Sequence, residues 1–87
     1  MRGPISMTLN GSSRSFLFYH GGILDTKNCK PDLNHAVVGV GYGTDKKSGK
    51  DYIIIKNSWG KWWGNGGYAK IAADSDYYTG GACGILK

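Results

Sequence analysis

Two strand-like stretches in the middle of the chain share one pattern and are joined by a polar, glycine-bounded segment. His35 to Tyr42 carries Val37, Val38 and Val40, and Asp51 to Asn57 carries Tyr52, Ile53, Ile54 and Ile55. β-Branched and aromatic side chains suit a pleated, half-buried surface, and the GTDKKSG between them has the composition of a hairpin loop. Antiparallel pairing with His35 opposite Asn57 sets Tyr42 opposite Lys50 and leaves Gly43 to Gly49 as the loop. Directly opposed residues have Cβ atoms about 4.5–5.5 Å apart, so this register predicts an amide-to-imidazole hydrogen bond. Trp59, two residues past Asn57, faces the same side and can roof the pair.

The flanking segments read as further short elements. Gly3 to Leu9 predicts a first strand, with Ile5, Met7 and Leu9 on the core face and Ser6 and Thr8 on the polar one. Asn10-Gly11-Ser12 is a turn and also an N-x-S glycosylation sequon at Asn10. Ser13 can cap a short helix from Arg14 to Tyr19 that ends at Gly21 and Gly22. Phe16, Leu17 and Tyr19 are core contacts in this scheme, and His20 is a surface histidine. Ile23 to Asp32 is an irregular connection containing Cys29. After a glycine-rich turn at Gly64 to Gly67, Tyr68 to Ala73 predicts a strand, Asp74 to Gly81 a polar loop, and Ala82 to Leu86 a last strand.

Composition narrows the class. The 15 glycines among 87 residues show no three-residue period, which excludes collagen and low-complexity linkers. Placed between strand-like runs, they imply many tight turns in a mainly β, small antiparallel barrel-like domain with a short helix. A chain this short buries a modest share of its surface and needs support from elsewhere. The net charge of +5 comes from lysines and arginines spread along the chain without a basic block, so no nucleic-acid partner is expected. No segment approaches the ~20 apolar residues of a membrane-spanning helix, so no membrane partner is expected, and residues 1–8 have no apolar run of signal-peptide length. Asp74 and Asp76 form a D-x-D pair without the other oxygen ligands of a calcium loop.

A histidine held by a side-chain amide beneath an indole has a catalytic use. The amide carbonyl fixes one ring nitrogen as a donor and leaves the other to accept or deliver a proton. Such an imidazole can activate a thiol and later protonate a leaving amine. The same residue types also occur as an ordinary hairpin histidine and a strand-end asparagine.

The motifs NHAVVGVGYG, YIIIKNSWGKWWGNGGYAKI and CGIL occur in the order found in papain-like cysteine proteases. From Gly3 to Leu86 the chain resembles the C-terminal half of that family, nearest to its cathepsin L group. The resemblance implies the C-terminal part of the α+β papain-like fold over residues 1–87 and a cysteine endopeptidase function. It makes His35 the catalytic histidine, Asn57 its orienting residue and Trp59 the indole that shields their hydrogen bond. Thr8, Leu33, Asn34 and Ala36 are then substrate-binding positions. Cys29 and Cys83 lack C-x-x-C spacing, and a zinc site with His20 and His35 would have scattered ligands. A disulfide suits them better, and the resemblance implies that pairing. It would contribute roughly 4 kcal/mol by chain entropy and places the protein on the oxidising secretory route, lysosomal, endosomal or extracellular.

The family's nucleophilic cysteine belongs to its N-terminal half. That Cys-bearing half, a peptide or protein substrate and proteinaceous cysteine-protease inhibitors are the implied partners, with no metal or cofactor. A noncatalytic relative, or a lone β-domain that binds peptides or proteins, remains an alternative.

Overall fold

The computed structural model describes residues 4–86. The chain forms β1 (Ile5–Leu9), α1 (Arg14–Leu17), β2 (Ile23–Leu24), β3 (His35–Thr44), β4 (Asp51–Lys56), β5 (Tyr68–Ala72) and a 3-10 turn (Ala82–Gly84). One five-stranded sheet has the order β1-β3-β4-β5-β2, so the expected mainly β class holds. All neighbours are antiparallel except β2, which pairs parallel to β5 through Ile23 and Leu24. That two-residue strand lies where an irregular connection was expected. Gly3, the anticipated start of β1, lies outside the described residues.

The central hairpin forms in a different register. Tyr42 pairs with Ile53 and Thr44 with Asp51, whereas Val38 pairs with Lys56, and the shift falls between Gly39 and Gly41. This is a β-bulge, one extra residue on β3 that bends the strand. The turn is also shorter than expected, because Asp45 starts it. The Ser48 N–H and hydroxyl both donate to the Asp45 carboxylate, at 2.9 and 2.8 Å, and the Gly49 N–H donates to the Asp45 carbonyl. Asp stabilises turns through its own side chain, and here that interaction outcompetes the wider glycine-to-glycine loop.

Both ends of the chain depart from the sequence expectation for local reasons. Helix α1 starts at Ser13, whose hydroxyl accepts from the Ser15 N–H, but it ends at Phe18 and not at the glycines. Tyr19 turns back instead, and its hydroxyl accepts from the Lys70 N–H of β5 at 3.1 Å. The expected strand from Ala82 is a 3-10 turn, with Gly81, Cys83 and Gly84 all at positive φ, a conformation no strand accommodates. Cys83 is bonded to Cys29, and its N–H donates to the Cys29 carbonyl.

The core is built from Leu9, Phe16, Val37, Ile53, Ile55, Trp63, Ala69, Ile71 and the disulfide. Alternation along β3 turns Val37 and Gly39 inward and Ala36, Val38, Val40 and Tyr42 outward. On β1, Leu9 is fully buried and Met7 packs against the core, but Ile5 is exposed.

An ion-pair cluster closes the far side of the sheet. The Lys50 ammonium lies 3.1 Å from the Asp25 carboxylate and 2.8 Å from that of Asp76. Burial alone raises the Asp25 pKa, but hydrogen bonds from Ser75, from the Asp76 N–H and from Lys50 outweigh it and leave the group below its ordinary value. A carboxyl with a depressed pKa adds stability above its unfolded-state pKa and loses it as pH falls through the folded value. Urea titrations of wild type and Asp25→Asn should therefore differ at neutral pH and converge below about pH 4; a gap that widened on acidification would contradict this charge state. Truncation of the fully buried Ile55 to Ala should cost about 2–5 kcal/mol of unfolding free energy in the same assay.

Candidate active site

His35 opens β3 at one end of the sheet, opposite Leu9 of β1. Its Nε2–H donates to the Asn57 Oδ1 at 2.7 Å. The same oxygen accepts the Ser58 N–H at 2.8 Å, so the carbonyl is held from two sides. Asn57 is only 4% exposed, and a buried polar pair is expensive to leave unmade. The contact does not arise from ladder pairing, since β4 ends at Lys56. Asn57 reaches the histidine because its N–H is tied to the Gly67 carbonyl at 3.0 Å just past the strand end. Among the described residues, His35 Nδ1 has no hydrogen-bond partner.

Trp59 covers the pair. Its ring stacks on the imidazole with centroids 4.7 Å apart and planes at 29°. Phe16 lies beside both, edge-on to Trp59 at 5.4 Å and to His35 at 6.0 Å. Trp63 anchors the loop after Trp59: it packs on Phe16 at 4.7 Å, and its indole N–H donates to the Phe16 carbonyl at 3.0 Å. Gly64 follows at φ 61°, where a Cβ would lie 2.6 Å from the Tyr68 carbonyl oxygen. The W-G-x-x-W-G spacing thus alternates a roof, a buried anchor and a position open only to glycine.

Thr8 and Ala36 face each other across β1 and β3. With Ile5, Ser6, Met7, Ile85 and Leu86 they line an open groove of about 320 Å³. Leu33 is not among these residues; it lies beside Pro31 against Gly84, where a Cβ would come within 2.9 Å of its Cδ2. A second apolar hollow of about 330 Å³ runs from Ala36 and Val38 past Lys56 to Asn57 and Ser58.

Asn34 is occupied structurally. Its Oδ1 accepts the Gly11 N–H at 2.9 Å, and its Nδ2 donates to Asn10 Oδ1 and to the Ser12 hydroxyl, each at 3.1 Å. Its own N–H donates to the Leu9 carbonyl. Asn10 belongs to the same network: it is 7% exposed, and its Nδ2 donates to the Lys30 carbonyl at 3.0 Å. The Asn10 amide is thus engaged within the turn of the folded chain.

The structure therefore brings His35, Asn57 and Trp59 to one point, with Thr8 and Ala36 at a groove alongside. Phe16 was recognisable in the sequence as a core residue but not as the support of the imidazole stack. Ile85 and Leu86 reach the groove because the chain ends its sheet in a turn. Among the described residues, no group of three or more His, Cys, Asp or Glu side chains is placed to hold a metal ion, and no helix is long and apolar enough to cross a membrane.

Comparison with known proteins agrees with this geometry. Mouse cathepsin K is 50% identical over 86 residues, covering 98% of this chain and 24% of the relative. The Arabidopsis thaliana cysteine protease XCP2 is 46% identical over 84 residues, covering 97% of this chain and 22% of the relative. The chain thus spans about a quarter of the length of these curated relatives. Among solved structures, bromelain from Ananas comosus in complex with the E64 inhibitor superposes with a TM-score of 0.82 at 41% identity, covering 95% of this chain and 37% of that one. The digestive procathepsin L 3 of Tenebrio molitor larval midgut also gives 0.82, at 39% identity, covering 99% and 26%. The profile of the papain family cysteine proteases matches residues 1–87 from end to end, and the chain belongs to that family.

Proposed function

We propose that this chain is the histidine-bearing half of a cysteine endopeptidase, with His35 as the catalytic acid and base and Asn57 as its positioning residue. The observation that carries the proposal is the His35–Asn57 hydrogen bond of 2.7 Å under the Trp59 ring. With Nε2–H committed to Asn57, Nδ1 is the nitrogen left for proton transfer. Both cysteines of the chain are bonded to each other, so the thiolate comes from the N-terminal half of the longer protein.

The steps follow from these placements. The thiolate attacks the scissile carbonyl and forms a tetrahedral adduct; collapse expels the amine, which takes its proton from His35. The resulting thioester is hydrolysed by a water that His35 deprotonates, and the thiolate departs. Asn57 keeps Nδ1 directed outward throughout, and Trp59 limits water around the buried hydrogen bond. The Thr8–Ala36 groove receives an apolar substrate side chain, with Leu33 at its approach and the main chain near Asn34 alongside extended substrate. Proteinaceous inhibitors of such enzymes would occupy the same cleft. The disulfide fits an endolysosomal or extracellular setting.

In the full-length protein, His35→Ala should lower kcat/KM on a peptide substrate by more than about 10³-fold while the far-ultraviolet circular dichroism of the sheet is retained; turnover near wild type would overturn the assignment. Asn57→Ala should cost less, about tenfold, since it removes one hydrogen bond and not the proton carrier. A thiol-reactive epoxide should label one cysteine outside these residues and neither Cys29 nor Cys83. Trp59→Ala should speed solvent exchange of the His35 Nε2 proton in nuclear magnetic resonance spectra, and an unchanged rate would remove its shielding role.

A further inference from the structure

The Lys50 cluster joins the two segments that the disulfide also joins. Asp25 precedes Cys29 by four residues, and Asp76 precedes Cys83 by seven. Asp25 is almost completely enclosed, with its side chain 8% exposed, against 22% for Lys50 and 68% for Asp76. Both carboxylate oxygens of Asp25 are engaged: the Ser75 hydroxyl donates to one at 2.7 Å, and the Asp76 N–H and Lys50 reach the other. Lys50 also donates to the Asp74 carbonyl at 3.4 Å, and the Tyr78 hydroxyl donates to the Lys27 carbonyl. Asp45, Lys70 and Tyr77 face the same hollow.

The loop from Asp74 to Gly81 is continuous with the turn that carries the sulfur. The Gly81 N–H donates to the Tyr78 carbonyl and the Leu86 N–H to the Gly80 carbonyl. Cys83 sits at φ 58°, a backbone conformation that a non-glycine residue keeps only where its surroundings enforce it. Both cysteines are fully buried, so a reductant reaches them only after a local opening. Lifting this loop at the sheet margin is the opening that spares the β1-β3-β4-β5 ladder. It would strip the nearly enclosed Asp25 of the Ser75 hydroxyl and the Asp76 N–H.

We propose that Asp25, Lys50 and Asp76 form a latch that seals the Cys29–Cys83 disulfide from reductant and couples its redox state to the electrostatics of this loop. Opening the latch also frees Ile85 and Leu86, which wall the groove beside Thr8 and Ala36. Reduction would therefore dismantle a groove wall as well as a crosslink. The carboxyl of Asp25 stays ionised into the acid range because its hydrogen bonds outweigh the effect of burial, and the latch stays shut there.

The test is the rate at which a water-soluble phosphine reduces this disulfide in the full-length protein at mildly acidic pH, followed by alkylation and peptide mapping. Two electrons and two protons convert the S–S bond to two thiols, and the phosphine becomes its oxide with oxygen from water. Lys50→Met and Asp25→Asn should speed reduction several-fold to about tenfold, Asp76→Asn less, and Lys50→Arg little. One molar salt should speed wild type but not Lys50→Met. Equal rates in wild type and Lys50→Met, or salt acceleration in both, would overturn the latch. Should Asp25→Asn fail to fold, the graded order of Lys50→Met above Asp76→Asn above Lys50→Arg carries the test alone.

Discussion

The indole N–H of Trp63 donating to the Phe16 carbonyl is the contact on which the site depends. It joins residues 47 positions apart, inside a core where each would otherwise strand a polar group. Through it, helix α1 is tied to the loop that follows Trp59. Phe16 is thereby set edge-on against both His35 and Trp59, and Trp59 covers one face of the imidazole. An imidazole packed in this way can rotate only by breaking its bond to Asn57. The proton transfer proposed for His35 would need that restraint.

A second constraint is size. Eighty-seven residues enclose a limited core, and the chain compensates by crosslinking its margin. The Cys29–Cys83 bond and the Lys50 ion pairs fasten the same two segments, one covalently and one electrostatically. Both act on the turn that leads to Ile85 and Leu86. The groove beside the histidine is therefore tied mechanically to the far end of the fold, although no catalytic group lies there.

Much of the candidate site was legible in the residue pattern. The β-branched runs of β3 and β4, the polar loop between them, and a histidine and an asparagine at the outer ends of the two arms were enough to predict the His35–Asn57 contact. The route to it was not legible. The predicted register made the two residues ladder partners, whereas the bulge near Val40 shifts the hairpin and Asn57 arrives from beyond β4. Asp45 explains part of this, since an Asx turn is a short-range signal that the flanking glycines masked. Asn10 shows the opposite limit: a sequon is a local pattern, but whether its amide is available depends on Lys30 and Asn34, about twenty residues away or more.

By itself, the sequence determined the mainly β class, the strands β1, β3, β4 and β5, the cap of α1 at Ser13, and the residue types that meet at the site. These follow from side-chain periodicity and from hydrogen bonding between near neighbours, which are local. Only the tertiary structure decided the parallel strand β2, the turn in place of a final strand, the exclusion of Leu33 from the groove lining, and the support of His35 by Phe16. Each depends on which distant group competes for a backbone or a surface: Tyr19 for β5, Cys29 for Cys83, Pro31 and Gly84 for Leu33. Such competition is settled by packing, and packing becomes readable only when the whole chain is in place.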